Sequence, residues 1–123
     1  MKLRLLLTVL IAAPMLATAQ SSTHCQGPSL TAENMVEVRE SISKSQVDET
    51  RLQVAKNITS QNCFTAEQVA IVTRIFSSEK TKVEYAKFAY AHTIDKEYYS
   101  KVFTAFNSES SKSDLLSFMK ARR

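Results

Sequence analysis

Val47-Asp48-Glu49-Thr50-Arg51-Leu52-Gln53-Val54-Ala55-Lys56 lines up with Ser78-Glu79-Lys80-Thr81-Lys82-Val83-Glu84-Tyr85-Ala86-Lys87 at an offset of 31 residues. A second pair, Leu30-Thr31-Ala32-Glu33-Asn34-Met35 and Phe64-Thr65-Ala66-Glu67-Gln68-Val69, repeats at an offset of 34. Periods of this size mark repeated supersecondary units, each too small to bury its own apolar face. Gly27 is the only glycine and Pro28 the only proline after Pro14, too few turn residues for a sheet of hairpins. The expected fold is therefore all-α: about six helices as successive antiparallel hairpins, a degenerate repeat of 31–34 residues.

The helices follow from caps and stripes. Thr31 is placed to cap a helix with Met35, Val38 and Ile42 at i, i+3 and i+7. After a break at Ser43-Lys44-Ser45, Asp48 is expected to cap a second helix with Leu52, Ala55 and Ile58 inward, ending at Gln61-Asn62. Thr65-x-x-Gln68 has the form of a capping box, and Val69, Val72, Ile75 and Phe76 supply a third stripe. Ser77-Ser78 turns the chain into a fourth helix, with Val83, Ala86 and Tyr90 on one stripe and Tyr85, Phe88 and His92 on the next. Asp95 is expected to cap a fifth helix carrying Tyr99, Val102 and Phe106. Residues 108–113 read as a loop or frayed cap before a short sixth helix with Leu115, Leu116, Phe118 and Met119.

Residues 1–19 have the form of an export signal, 20–29 of an irregular arm, and 30–123 of the helical-hairpin domain. Lys2 and Arg4 precede an apolar run from Leu5 to Ile11, and Ala17-Thr18-Ala19 is an A-x-A cleavage site. Export to the periplasm or the outside of the cell is the expectation. The apolar run is too short for a stable membrane span. The net charge of +4 falls to +2 once Lys2 and Arg4 leave, with acids and bases interspersed. That balance argues against nucleic acid or an anionic membrane as partner.

Cys25 and Cys63 are the only cysteines. In an exported chain they are expected to form one structural disulfide, because an antiparallel first hairpin brings both to the same end. Closing a loop of about 39 residues is worth roughly 4 kcal/mol in the chain-entropy model. His24, Cys25, Cys63 and His92 include the ligand types of a zinc site, but their spacing matches no compact finger, so no metal is expected. Ser-His-Asp order, a Gly-rich phosphate loop and His-Glu-x-x-His are all missing, and no cofactor is expected. Asp95 and Glu97 flank Tyr98-Tyr99 as first-turn residues of a helix rather than as a catalytic pair. Asn57-Ile58-Thr59 has the sequon pattern and reads as incidental.

All four tyrosines lie between Tyr85 and Tyr99, joined by Phe88, Phe103 and Phe106. Tyr85, Tyr98 and Phe103 sit off the main stripes and are expected to form a partner surface, with Lys82, Glu84 and Lys101 as its polar rim. Phe64-Thr65-Ala66-Glu67-Gln68-Val69, then Ala86-Lys87-Phe88-Ala89-Tyr90, then Asp95 with Tyr98-Tyr99 and Val102, resembles an uncharacterised helical domain of unknown function. That family is found mainly in bacterial secreted and envelope proteins, and the likeness spans roughly residues 30–119. It implies the helical fold and no site residues. The functional expectation is an exported, non-catalytic binding or structural domain whose partner is an envelope or extracellular protein. The alternatives are an enzyme with a site of unfamiliar form and a stress-related envelope protein without a small ligand.

Overall fold

Among the described residues six helices account for most of the structure: α1 (Ala32–Ser43), α2 (Asp48–Ser60), α3 (Ala66–Thr73), α4 (Glu79–Tyr90), a 3-10 helix (Lys96–Ala105) and α5 (Glu109–Lys120). The structure is a computed structural model and describes residues 25–123, so the expected export signal at residues 1–19, the start of the expected arm and His24 lie outside the described residues. Thr31, Thr65, Ser78 and Ser108 each cap a helix with the side-chain oxygen, and Thr65 with Gln68 completes the capping box.

Backbone ties set the helix directions. The Cys25–Cys63 disulfide, Cα to Cα 5.6 Å, joins the start of α1 to the end of α2, so that hairpin is antiparallel. Phe64 N–H donates to the His92 carbonyl and Ile94 N–H to the Phe64 carbonyl, both at 2.9 Å, which closes the α3–α4 hairpin the same way. α2, α4 and α5 then stack side by side with their starts together, while the 3-10 helix lies along α3.

The repeat is a clamp made of one acid and one base. Both Asp48 oxygens, on the first turn of α2, accept from Ser77 N–H at 3.0 Å, and one also accepts from Ser78 N–H at 2.8 Å. Arg51 donates to the Ile75 carbonyl at 3.1 Å. One helix later, Glu79 Oε1 accepts from Asn107 and Ser108 N–H at 2.8 and 2.7 Å, and Lys82 Nζ donates to the Ala105 carbonyl at 2.9 Å. Each acid thus holds the entry to the next helix in the stack. Asp48 was expected to cap its own helix; Val47 occupies that position without a side-chain cap, and the carboxylate reaches across instead. Asp95 behaves likewise: it makes no cap bond to the 3-10 helix but accepts from Ala66 N–H at 2.7 Å, at the start of α3.

Residues 108–113 correct the sequence reading most. They are no loop, because Ser108 is the cap and Glu109 the first residue of α5, which docks through Leu115 and Met119. Ser108-Glu109-x-x-Lys112-x-Asp114 continues Ser78-Glu79-x-x-Lys82-x-Glu84 as a third copy of the clamp. Glu109 and Lys112 pair at 3.0 Å, as Glu79 does with Lys82 and Asp48 with Arg51 at 3.4 Å. A ladder runs beside it: Lys56 pairs with Glu84 and lies over Phe88, and Lys87 pairs with Asp114 and lies over Phe118.

Both ends of the stack turn polar. On the face of α5 that follows the register of Val83, Lys87 and Tyr90 stand Ser113, Ser117 and Lys120. On α2, Gln53 and Asn57 replace the Glu84 and Phe88 by which α4 meets its neighbour. Such terminal units keep a stack soluble by leaving no apolar face to bury.

The core holds Met35, Val38, Ile42, Val69, Val72, Phe76, Ala86, Tyr99, Val102 and Phe106, as the stripes require. Tyr90, expected there too, is half-buried at its edge. On α2, Ala55 is buried as the stripe requires and Thr59 joins it, while Leu52 and Ile58 pack against the core half-buried. The fifth helix has the 3-10 period, so its buried row is Tyr99, Val102 and Ala105, three residues apart, with Phe106 following as its C-cap.

Candidate functional site

That three-residue period decides which side chains share a surface. Successive residues in a 3-10 helix eclipse at i and i+3, which produces three straight rows. One row is the core. A second, Tyr98, Lys101 and Thr104, is exposed and turns toward α3: Lys101 lies over Tyr98 and pairs with Glu67, and Arg74 donates to Thr104 at 2.7 Å. The third, Glu97, Ser100 and Phe103, lines a groove of about 540 Å³ between the 3-10 helix and α5.

Tyr90, Phe103, Leu116 and Met119 make the apolar floor of this groove, and Lys96, Glu97, Ser100 and Arg123 its rim. Tyr90 anchors the floor through edge-on contacts with Tyr99 and Phe118, ring centroids 4.9 and 6.1 Å away. Lys96 donates to the Thr93 carbonyl at 2.9 Å and sits over the Tyr90 ring. Burial lowers its pKa, an effect the Glu97 carboxylate partly offsets. Next to the groove, the Arg122 guanidinium stacks on Phe118 at 3.4 Å from the ring centroid. The arrangement offers flat aromatic and aliphatic area inside a mixed polar rim that is richer in cations.

The expected partner surface is therefore split. Phe103 is half-buried in the groove and Tyr98, 55% exposed, stands on another row. Tyr85 belongs to neither: it is fully buried, its hydroxyl 2.9 Å from the Thr59 hydroxyl, and burial raises its pKa despite that bond. Lys82 is no rim residue either, being only 7% exposed and bound to the Ala105 carbonyl. A helical wheel placed Tyr85 off the stripe because it ignores α2, which packs on α4 from that side and supplies Thr59.

Burial alone would raise the carboxyls of Asp48 and Glu79, but the backbone N–H groups they accept from, then the adjacent Arg51 or Lys82, outweigh it and lower both. These shifts have structural causes. A second groove, of about 370 Å³, brings together the disulfide, Pro28, Asn62 and His92. His92 is lowered first by burial and second by Lys96, and its ring lies 5.3 Å from Phe88. Cys25 and Cys63 are bonded to each other, so the imidazole has no thiolate beside it. Among the described residues no cluster of three His, Cys, Asp or Glu side chains suits a metal ion. The Asn57 sequon lies within α2 with its Thr59 hydroxyl buried.

Leu116, Met119, Lys96 and Arg123 went unread as site residues. For Leu116 and Met119 the signal was the third clamp copy, which fixes the register of α5; no pattern in the sequence marked Lys96 or Arg123.

Residues 29–119 match a family described as a domain of unknown function, DUF4476. Among curated proteins and among solved structures, none matches the chain. The chain belongs to the DUF4476 family.

Proposed function

We propose that this DUF4476 domain is an exported, non-catalytic binding module whose groove between the 3-10 helix and α5 receives an apolar side chain of a partner protein. The single observation that supports it most is the groove itself: an aromatic and aliphatic floor inside a polar rim, the composition of protein-binding patches. The carboxyls of Asp48 and Glu79 are held by backbone N–H groups, so a structural role accounts for their lowered pKa values. The disulfide and the A-x-A motif at Ala17-Thr18-Ala19 support export. No helix among the described residues is long and apolar enough to cross a membrane.

Site-specific photocrosslinking in the exporting cell tests this. A photoreactive side chain at Leu116 is expected to give a discrete protein adduct that excess purified domain competes away. The same group at Asn57, exposed on α2, should give none. Equal labelling at both positions, or none at Leu116, overturns the reading.

A further inference from the structure

We propose that the partner seated in this groove is a second copy of the chain, presenting the outer face of its α1. The inference rests on the groove reading above and adds the identity of the occupant. At 100° per residue, the face of α1 opposite Met35, Val38 and Ile42 carries Glu33, Val36, Glu37 and Glu40. Val36 is 52% exposed on the flank of this acidic stripe, beside Glu40 and Arg39. Three carboxylates against the single Arg39 leave this face net acidic, which complements an apolar floor whose rim carries Lys96 and Arg123 against Glu97, with Lys120 next to Met119 in the chain.

Length agrees as well. The twelve residues of α1 span about 18 Å, and the ten-residue 3-10 helix along the groove about 20 Å. Position then sets the symmetry. α1 packs on α2, α2 on α4 and α4 on α5, so acidic face and groove lie toward opposite ends of the stack. A copy whose groove is filled still offers its own α1, so the contact is head-to-tail and open-ended. One helix face in one groove is a small interface, so the association is weak and depends on salt.

The experiment is sedimentation velocity on the mature chain at rising concentration. At roughly 20 mM salt the weight-average mass should climb with concentration, and at about 0.5 M it should stay that of the monomer. Glu37→Lys with Glu40→Lys should abolish the climb, as should Lys120→Glu with Arg123→Glu; all four side chains are exposed, and circular dichroism verifies the fold. Mixing the two double variants should restore association, because the basic α1 of one meets the acidic groove of the other. A monomer at every concentration overturns the proposal, as does association that both double variants retain. The crosslink at Leu116 separates the two readings: an adduct to a different protein overturns the second-copy occupant and keeps the groove, whereas no adduct overturns both.

Discussion

Glu79→Ala removes the acid of the occupied clamp between α4 and α5. Its Oε1 accepts from Asn107 N–H at 2.8 Å and Ser108 N–H at 2.7 Å, while Oε2 lies 3.4 Å from Lys82 Nζ. Hydrogen bonds to a charged group contribute roughly 1.5–3 kcal/mol each, and one oxygen shared by two donors belongs at the lower end. The variant also leaves Lys82, 7% exposed, with the Ala105 carbonyl but no counter-charge. Together these give a loss of about 3–4 kcal/mol, or roughly 15 °C in Tm for a domain of this size. Glu109→Ala is the internal control: it removes the same residue type at the same helix position, but its side chain is 89% exposed and holds only Lys112. Its cost should stay within about 0.5 kcal/mol. Glu79→Gln keeps one accepting oxygen and should fall between. Urea unfolding of the three variants measures all of this. Equal losses for Glu79→Ala and Glu109→Ala, or no loss for either, would refute the clamp.

Acid should destabilise the protein in two stages. His92 is lowered from 6.5 by burial and by Lys96, so its contribution is whole above that value and is lost as pH falls through the lower folded one. Asp48 and Glu79 are lowered from 3.8 and 4.5, so their contributions hold above those values and disappear below them. Urea midpoints should fall gently below about pH 6.5 and steeply below about pH 4.5; a flat profile down to pH 3 contradicts the assignments. Tyr85→Phe and Thr59→Val should each cost about 1–3 kcal/mol by stranding a buried hydroxyl, and the double variant should cost less than the sum. Additivity in that cycle would mean the two hydroxyls are not partners. Replacing both Cys25 and Cys63 by alanine should lower stability by roughly 4 kcal/mol while far-UV circular dichroism keeps its helical form, and loss of the helices would show the bond is needed for folding itself.

Sequence alone yielded the helices that bury a plain stripe behind a side-chain cap. Thr31 with Met35, Val38 and Ile42, and Thr65 with Val69, Val72 and Phe76, needed only local chemistry. It failed where a side chain acts at a distance. A carboxylate at a helix start looks the same whether it caps its own helix or, like Asp48 and Asp95, a segment 29 or 30 residues away. The serines of residues 108–113 suggested a loop because serine favours turns, yet Glu109, Lys112 and Asp114 preserved the clamp register among them. The groove was half legible. Phe103 stood out as an aromatic off the stripe, but the row it shares with Glu97 and Ser100 exists only in a helix of period three.

The clamps also give the chain an order of assembly. Each acid precedes in sequence the segment that it holds: Asp48 is made before Ser77 and Ser78, and Glu79 before Asn107 and Ser108. As the chain leaves the ribosome from its N-terminus, α4 and then α5 each meet a carboxylate already in place. Asp95 alone works backward, completing the start of α3 after that helix has been made. Breakdown should run in reverse: α5 depends on α4 and α4 on α2, so amide exchange should loosen α5 first and α2 last, fraying the protein from the end that was built last.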